Sequence, residues 1–442
     1  MAPRGNLFAC LALVALVLLC AGAAPGYIWL EGENPTSTPS ITPPDGKPDD
    51  RGFSAGGWGR TQFISEGRML NVSIPAGDVE KRVGADGAVF GYDFTVDEPG
   101  DYAVWARIGF EWVRSPFDWR LDDGRWTTLS KNEPTIDVVE IARWNELAWI
   151  DLGQSRLAKG KHTLSFRHRP YTVTDNKGNE KAGRILHSLD AICITRDEFR
   201  PNGHRKPDAA YKTDRDEEAA SKVYKLADDG SPRPSVELTG LWETARWDER
   251  EYDPATRLEG PAQLPDMEKL WWFGIPVPHS RNRIMPEHTF SHRYLLRTHI
   301  DVPADFAGKG FILEFETFQT IVSVFVNGQH CGWSRDFDAY WQCDVSNAVK
   351  PGRTNEIVVA VKSLHYAINP EREDANADPA RVMRQRVNIP WDMRNHQSIG
   401  KSYDLPVAQV HHGGAQTGLR EPVRLIAVGN VWTEDAFVRP SF

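Results

Sequence analysis

The chain is poor in cysteine and lacks the spacings that carry metal or redox chemistry. Five cysteines occur in 442 residues. Cys10 and Cys20 fall in an N-terminal apolar run, leaving Cys193, Cys331 and Cys343. An odd trio excludes a disulfide-stapled scaffold, although Cys331 and Cys343 stand open as a pair in an oxidising compartment. No C-x-x-C or H-E-x-x-H spacing points to zinc. No nucleophile elbow of the serine-hydrolase type is expected. Beyond the N-terminus no apolar run is long enough to span a bilayer, which needs about 20 residues. Positive charge is also short: 61 acidic residues stand against 52 basic ones, a formal net charge of −9. That balance offers no electrostatic footprint for nucleic acid or an anionic membrane.

What is present begins with an export signal. Met1 to Asn6 carries one cation, Arg4, and Leu7 to Leu19 is almost wholly apolar. Ala21-Gly22-Ala23 then fits a small-residue cleavage site. This layout is that of a secretory signal over residues 1–23, and it implies a secreted or periplasmic product. Leu19 stands where a lipid-anchored protein would carry a small residue before Cys20.

The remaining pattern is strand after strand. Ala88–Val96, Asp101–Ile108, His162–Arg167 and Leu189–Thr195 form one set of short runs rich in branched and aromatic residues. Tyr294–Val302, Phe311–Phe315, Ile321–Val326, Ile357–Val361, Val423–Val428 and Val431–Val438 form another. Several alternate apolar and polar residues, as half-buried antiparallel strands do. Glu98-Pro99-Gly100, Asp122-Asp123-Gly124, Asn327-Gly328 and Lys350-Pro351-Gly352 supply turn chemistry between them. The expected fold class is all-β: two β-sandwich or jelly-roll domains, over residues 27–201 and 236–442. Residues 202–235 are charged and poor in large apolar side chains, and they read as a linker.

Particular residues carry two resemblances. YIWLEGENPTS near the start, EPGDYAVWARI, FDWRLDDGRW, WIDLGQSRLAKGKHTLSFR and HSLDAICITRDEFRP occur in order between Tyr27 and Pro201. Together they resemble carbohydrate-binding modules of the family 6 and 35 type. In the second half, LTGLWET, IPVPHSRNR, HRYLLRTHIDVPADFAGKGFILEFETFQTIVSVFVNGQHCGWS, FDAYWQCDVSNAVKPGRTNEIVVAV and LREPVRLIAVGNVWTEDAFVRPSF also follow in order. They resemble the N-terminal sugar-binding jelly roll of glycoside hydrolase family 2, the family of β-galactosidases and β-glucuronidases.

The first resemblance implies a structural calcium held by Glu31, Glu33 and Asp190. Residues two apart on a strand share a face, so two carboxylates can converge on one hard cation; the plain alternative is a pair of solvated acids. Sugar rings stack on aromatic faces, and Trp58, Trp112, Trp119, Trp126 and Trp144 fall in loops or at strand ends. Packing is the commoner fate of a tryptophan in a sandwich. The second resemblance makes Arg335, Asp336 and Asp392 candidates for a pocket rim, or else solvated loop charges.

A retaining glycosidase needs two carboxyls about 5–5.5 Å apart, and family 2 draws them from a barrel of about 250 residues. No such stretch of alternating strand and helix occurs here. The Asn-Glu pairs at 132–133, 145–146, 179–180 and 355–356 read as decoys, the first three in loops and the fourth at a strand opening. His411 and His412 with Asp404 read as a solvated loop. The expectation is therefore an exported protein that binds poly- or oligosaccharide without cleaving it. The alternative is the non-catalytic N-terminal portion of a family 2 β-glycosidase whose catalytic domain lies elsewhere.

Overall fold

The computed structural model describes residues 26–366, 417–429 and 431, except 48, 110–113, 131, 132, 134, 143, 144, 175–177, 248–252, 254, 290, 337, 338, 364 and 365. Strands dominate, in two sandwiches that each pair a seven-stranded sheet with a four-stranded one.

In the first, the larger sheet runs Phe53–Gly56, Met69–Ile74, Ile185–Thr195, Gly100–Gly109, Asn145–Leu157, Ile136–Ala142. Tyr27–Glu31 also pairs antiparallel with Ile185–Thr195, setting Glu31 opposite Ala191. The smaller sheet runs Ala88–Val96, Gly160–His168, Phe117–Leu121, Thr127–Leu129. Its strands send every second side chain inward. Phe90, Tyr92, Phe166 and Phe117 thus meet Leu70, Val104, Ile150 and Ile192 from the facing sheet in one core. Phe90 and Phe166 lie opposite one another and stack with ring centroids 5.5 Å apart.

The second sandwich repeats the plan. Its larger sheet runs Trp272–Val277, Gly240–Arg246, Arg293–Val302, Arg353–Lys362, Ile321–Val326, Gln329–Ser334, against Ser235–Glu237, Val423–Val428, Gly310–Phe315, Trp341–Asp344. The Asn327-Gly328 turn closes the hairpin between Ile321–Val326 and Gln329–Ser334 with both φ angles positive, 51° and 78°. Positive φ at both central residues is what a type I′ turn requires, and it matches the twist of the flanking strands. The sheet's outer face is covered by the chain itself: Trp247, Trp272, Leu295 and Phe325 lie buried with Leu264, Met267 and Leu270 packed on them.

The charged segment 202–235, expected to be a linker, is folded instead. Asp214–Ser221 is a helix whose first turn is closed by a capping box between Thr213 and Asp216. Asp216 Oδ1 also accepts from Gly274 N–H at 2.6 Å, tying the helix to the second sandwich. Val223–Lys225 adds a parallel strand beside Arg293–Val302, and Tyr224 and Leu226 enter the second core. On the other side Gly203 N–H donates to Asp137 Oδ2 at 2.5 Å, and Trp149 Nε1–H donates to Gly203 O at 2.8 Å. Hence the segment is bonded to both sandwiches.

Candidate functional site

The smaller sheet of the first sandwich explains where the predicted tryptophans go. On Phe117–Leu121, alternation turns Phe117 and Trp119 inward and Asp118 and Arg120 outward. Trp119 is 7% exposed and belongs to the core, so the expectation that it faces sugar is corrected. Trp126 lies at the outer face, with the guanidinium of Arg120 4.4 Å and that of Arg167 4.2 Å from its ring centroid. Cation–π contacts of this kind already engage the ring. Asp118 beside them accepts from Thr128 Oγ1–H at 2.7 Å and Arg167 Nε–H at 2.8 Å, and pairs with Arg169. Burial would raise its carboxyl, but these donors outweigh that and hold it below the ordinary range. Trp58, 37% exposed between Gly57 and Gly59, keeps the open position expected of it. Trp112 and Trp144 lie outside the described residues.

The three acids read as calcium ligands do not fit that metal. Asp190 is fully buried, and Arg107, equally buried, places Nη1 2.5 Å from its Oδ2. Ser65 N–H donates to Oδ1 at 2.9 Å. The cation beside Asp190 is therefore a guanidinium. Burial pushes the Asp190 carboxyl up to about 6 against the opposing pull of Arg107. Glu31 Oε1 accepts from Trp29 Nε1–H at 2.9 Å and lies 3.9 Å from Lys206 Nζ. Burial, with Glu31 and Glu66 nearby, raises Glu33. One buried oxygen on each glutamate lacks a partner, yet among the described residues no three His, Cys, Asp or Glu side chains come together to hold a metal ion.

In the second sandwich Arg335 and Asp336 stand exposed just past Gln329–Ser334, where Asp336 N–H donates to Ser334 Oγ at 3.2 Å. Asp392, Asp404, His411 and His412 lie outside the described residues. What the structure does bring together is a polar cluster at one end of this sandwich. Arg281, 1% exposed, is its hub. The guanidinium lies 4.1 Å from the Tyr294 ring centroid and donates to the carbonyls of His288 (2.9 Å) and Ser291. Arg281 N–H donates to Thr417 O at 2.9 Å, and His279 N–H to Leu419 O at 2.6 Å. Tyr294 Oη and Thr417 Oγ1 are 3.1 Å apart, and His292 Nδ1 meets Ser363 Oγ at 3.1 Å. Burial, and then the charge of Arg281, lowers His279 to about 3; burial likewise keeps His288 neutral, with Arg246, Arg281 and Arg205 adding to it. The sequence signal for this cluster is the density of His and Arg between His279 and Arg293, within segments quoted above only for their resemblance.

The remaining motifs resolve plainly. Gly52-Phe53-Ser54-Ala55-Gly56 does spell G-x-S-x-G, contrary to the expectation of no elbow. Ser54, however, sits inside the strand Phe53–Gly56, paired with Asn71, rather than on a strand-to-helix turn. Asn145-Glu146, expected in a loop, opens the strand Asn145–Leu157, and Asn355-Glu356 lies within Arg353–Lys362. Cys193, Cys331 and Cys343 are free thiols; burial pushes Cys193 and Cys343 up to about 12.

Comparison with known proteins follows the second sandwich. Residues 278–401, which begin beside the polar cluster, match the family model described as "Glycosyl hydrolase 2 galactose-binding domain-like". No curated protein matches the chain. Among solved structures, b-glucuronidase from Ruminococcus gnavus in complex with uronic deoxynojirimycin is 18% identical, with a TM-score of 0.30 over 47% of this chain and 31% of that one. The same enzyme in complex with D-glucuronic acid gives 18% and 0.30 over 46% and 31%. The chain thus spans under a third of the length of those enzymes, and so slight an overlap adds nothing to the family match.

Proposed function

We propose that this chain is an exported carbohydrate-binding protein that recognises poly- or oligosaccharide and does not itself cleave glycosidic bonds. The observation that carries the reading is the match of residues 278–401 to a galactose-binding-like domain. The N-terminal signal pattern supports export. The order of motifs between Tyr27 and Pro201 supports a second carbohydrate-binding module of the family 6 and 35 type.

The polar cluster suits a recognition role. Arg281 is fixed by two carbonyls, the Asn282 side-chain oxygen and the Tyr294 ring, so its guanidinium holds the cluster in one arrangement. Rigid, desolvated polar groups of this kind discriminate between hydroxyl patterns because a mismatch leaves them unpaired. Catalysis asks for more: two carboxyls at fixed separation on a frame such as a barrel. The sequence of this chain holds no stretch of that kind.

A second reading draws on the same match. The chain would be the non-catalytic N-terminal portion of a family 2 glycosidase, with its barrel in a downstream segment. The purified chain tests both readings on a glycan array and on chromogenic β-galactosides, β-glucuronides and β-mannosides. Glycan binding without turnover is expected. Turnover abolished by a single Glu→Gln change would contradict it.

A further inference from the structure

A cleft of about 380 Å³ opens between the two sandwiches. Trp105, Thr135 and Phe199 line it from the first, and Trp247, Trp271 and Ser291 from the second. Of these only Ser291 also touches the polar cluster, through the carbonyl that accepts from Arg281, and none was a predicted sugar contact. The size falls within the range of small-molecule sites, about 300–1,000 Å³.

Three features of the lining select a ligand. Four aromatic rings give it apolar walls. Its charges cancel: Asp137 pairs with Arg246 and Glu198 with Lys269, the latter at 2.9 Å. The remaining two, Arg200 and Asp266, are opposite in sign, and both bond to the backbone of Glu268. A net charge on the ligand would therefore meet no surplus of the other sign. Finally, the lining holds polar groups without partners. Thr135 is 8% exposed and its Oγ1 makes no hydrogen bond; the buried Nε1–H of Trp271 makes none either. Buried polar groups are normally satisfied, and one left unsatisfied costs stability until something bonds to it.

We propose that this cleft is a binding site for a neutral saccharide of one or two rings, packed against the aromatic walls and exchanging hydrogen bonds with Thr135 Oγ1 and Trp271 Nε1. Pyranose rings combine the two properties the lining asks for, apolar C–H faces and uncharged hydroxyls that both donate and accept. The site rests on the carbohydrate reading above but uses different residues. Because its walls come from both sandwiches, the bound sugar would bridge them.

Titration of the full chain with lactose and cellobiose, with glucuronate as the charged control, tests the assignment. A neutral disaccharide binds and glucuronate does not. Thr135→Val and Trp271→Phe each weaken binding about fivefold, the loss expected for one hydrogen bond, without lowering the melting temperature. Footprinting of the unaltered chain by hydroxyl radicals gives a readout free of folding effects: bound sugar protects Trp105 and Trp271 from oxidation. Sugar binding that survives both substitutions, with those two tryptophans unprotected, would overturn the cleft while leaving the carbohydrate reading in place. Preference for glucuronate would overturn the neutral-ligand assignment. Absence of binding to any glycan would overturn both.

Discussion

The carboxylate of Asp137 and the guanidinium of Arg246 form an ion pair between the two sandwiches. Asp137 carries a φ of 57° inside the strand Ile136–Ala142, and its Oδ2 also accepts the Gly203 N–H. A single carboxylate thus joins the first sandwich, the connecting segment and the second sandwich. Arg246 reinforces the join by donating to Val138 O at 3.3 Å.

Asp137→Ala should therefore separate the sandwiches thermodynamically. Removing one partner of a largely buried pair leaves the other charge uncompensated, at a cost of about 3 kcal/mol. Differential scanning calorimetry of the variant should resolve two transitions where the parent chain shows one. A single unshifted transition in both would mean that the pair contributes nothing to coupling.

Acid should destabilise the protein well above the ordinary carboxylate range. Burial holds His168, His187, His204, His279 and His288 below their usual value, with His168 and His204 at about 4. His168 and His187 face one another in the first core, ring centroids 4.8 Å apart, beside Phe117, Phe166, Asp118 and Arg114. A histidine with a depressed folded pKa stabilises the fold fully above about 6.5, and that stability is lost as pH falls toward 4. For His168 the loss amounts to about 3 kcal/mol. Asp190, raised to about 6, works in the opposite sense between pH 6 and 4 but is one group against five. Urea midpoints should fall steadily from pH 7 to pH 5, and His168→Phe should flatten the slope. Midpoints that rise over this interval would contradict the assignment.

Calcium should not raise the melting temperature, because Arg107 already neutralises Asp190. Arg107→Leu should cost about 3–5 kcal/mol by leaving a buried carboxylate unpaired. Thermal melts with EDTA and with added calcium check the first statement, and the variant checks the second. A calcium-dependent rise in the parent chain would restore the metal reading of Glu31, Glu33 and Asp190.

Trp119 and Trp58 should respond differently to truncation. Trp119→Ala removes a core ring and should cost about 3–5 kcal/mol, whereas Trp58→Ala, at an open loop position, should cost far less. Equal losses would place Trp58 in the core.

Strands were the most legible part of the sequence. Ala88–Val96, Ile321–Val326 and Val423–Val428 occur with the bounds their patterning predicts, since period-two burial and explicit turn residues leave little choice of register. The segment 202–235 reads as a linker because most of its contacts are polar and only Tyr224 and Leu226 enter a core. Asp216 caps a helix and binds Gly274 N–H, while Gly203 uses only its backbone, and neither shows as apolar patterning. Trp119 is buried although its type suits a sugar-facing ring, because residue type does not say which face of a strand is buried. The interdomain cleft was invisible for a different reason: its walls come from positions as distant as Trp105 and Ser291, brought together only by tertiary contact.

Direct titration of the full-length chain with an array of neutral and acidic glycans, run beside a hydrolysis assay on the bound ones, tests the central claim. The account predicts saturable binding of at least one poly- or oligosaccharide with no release of reducing sugar. Absence of binding across the array, or hydrolysis of the glycan that binds, would contradict it.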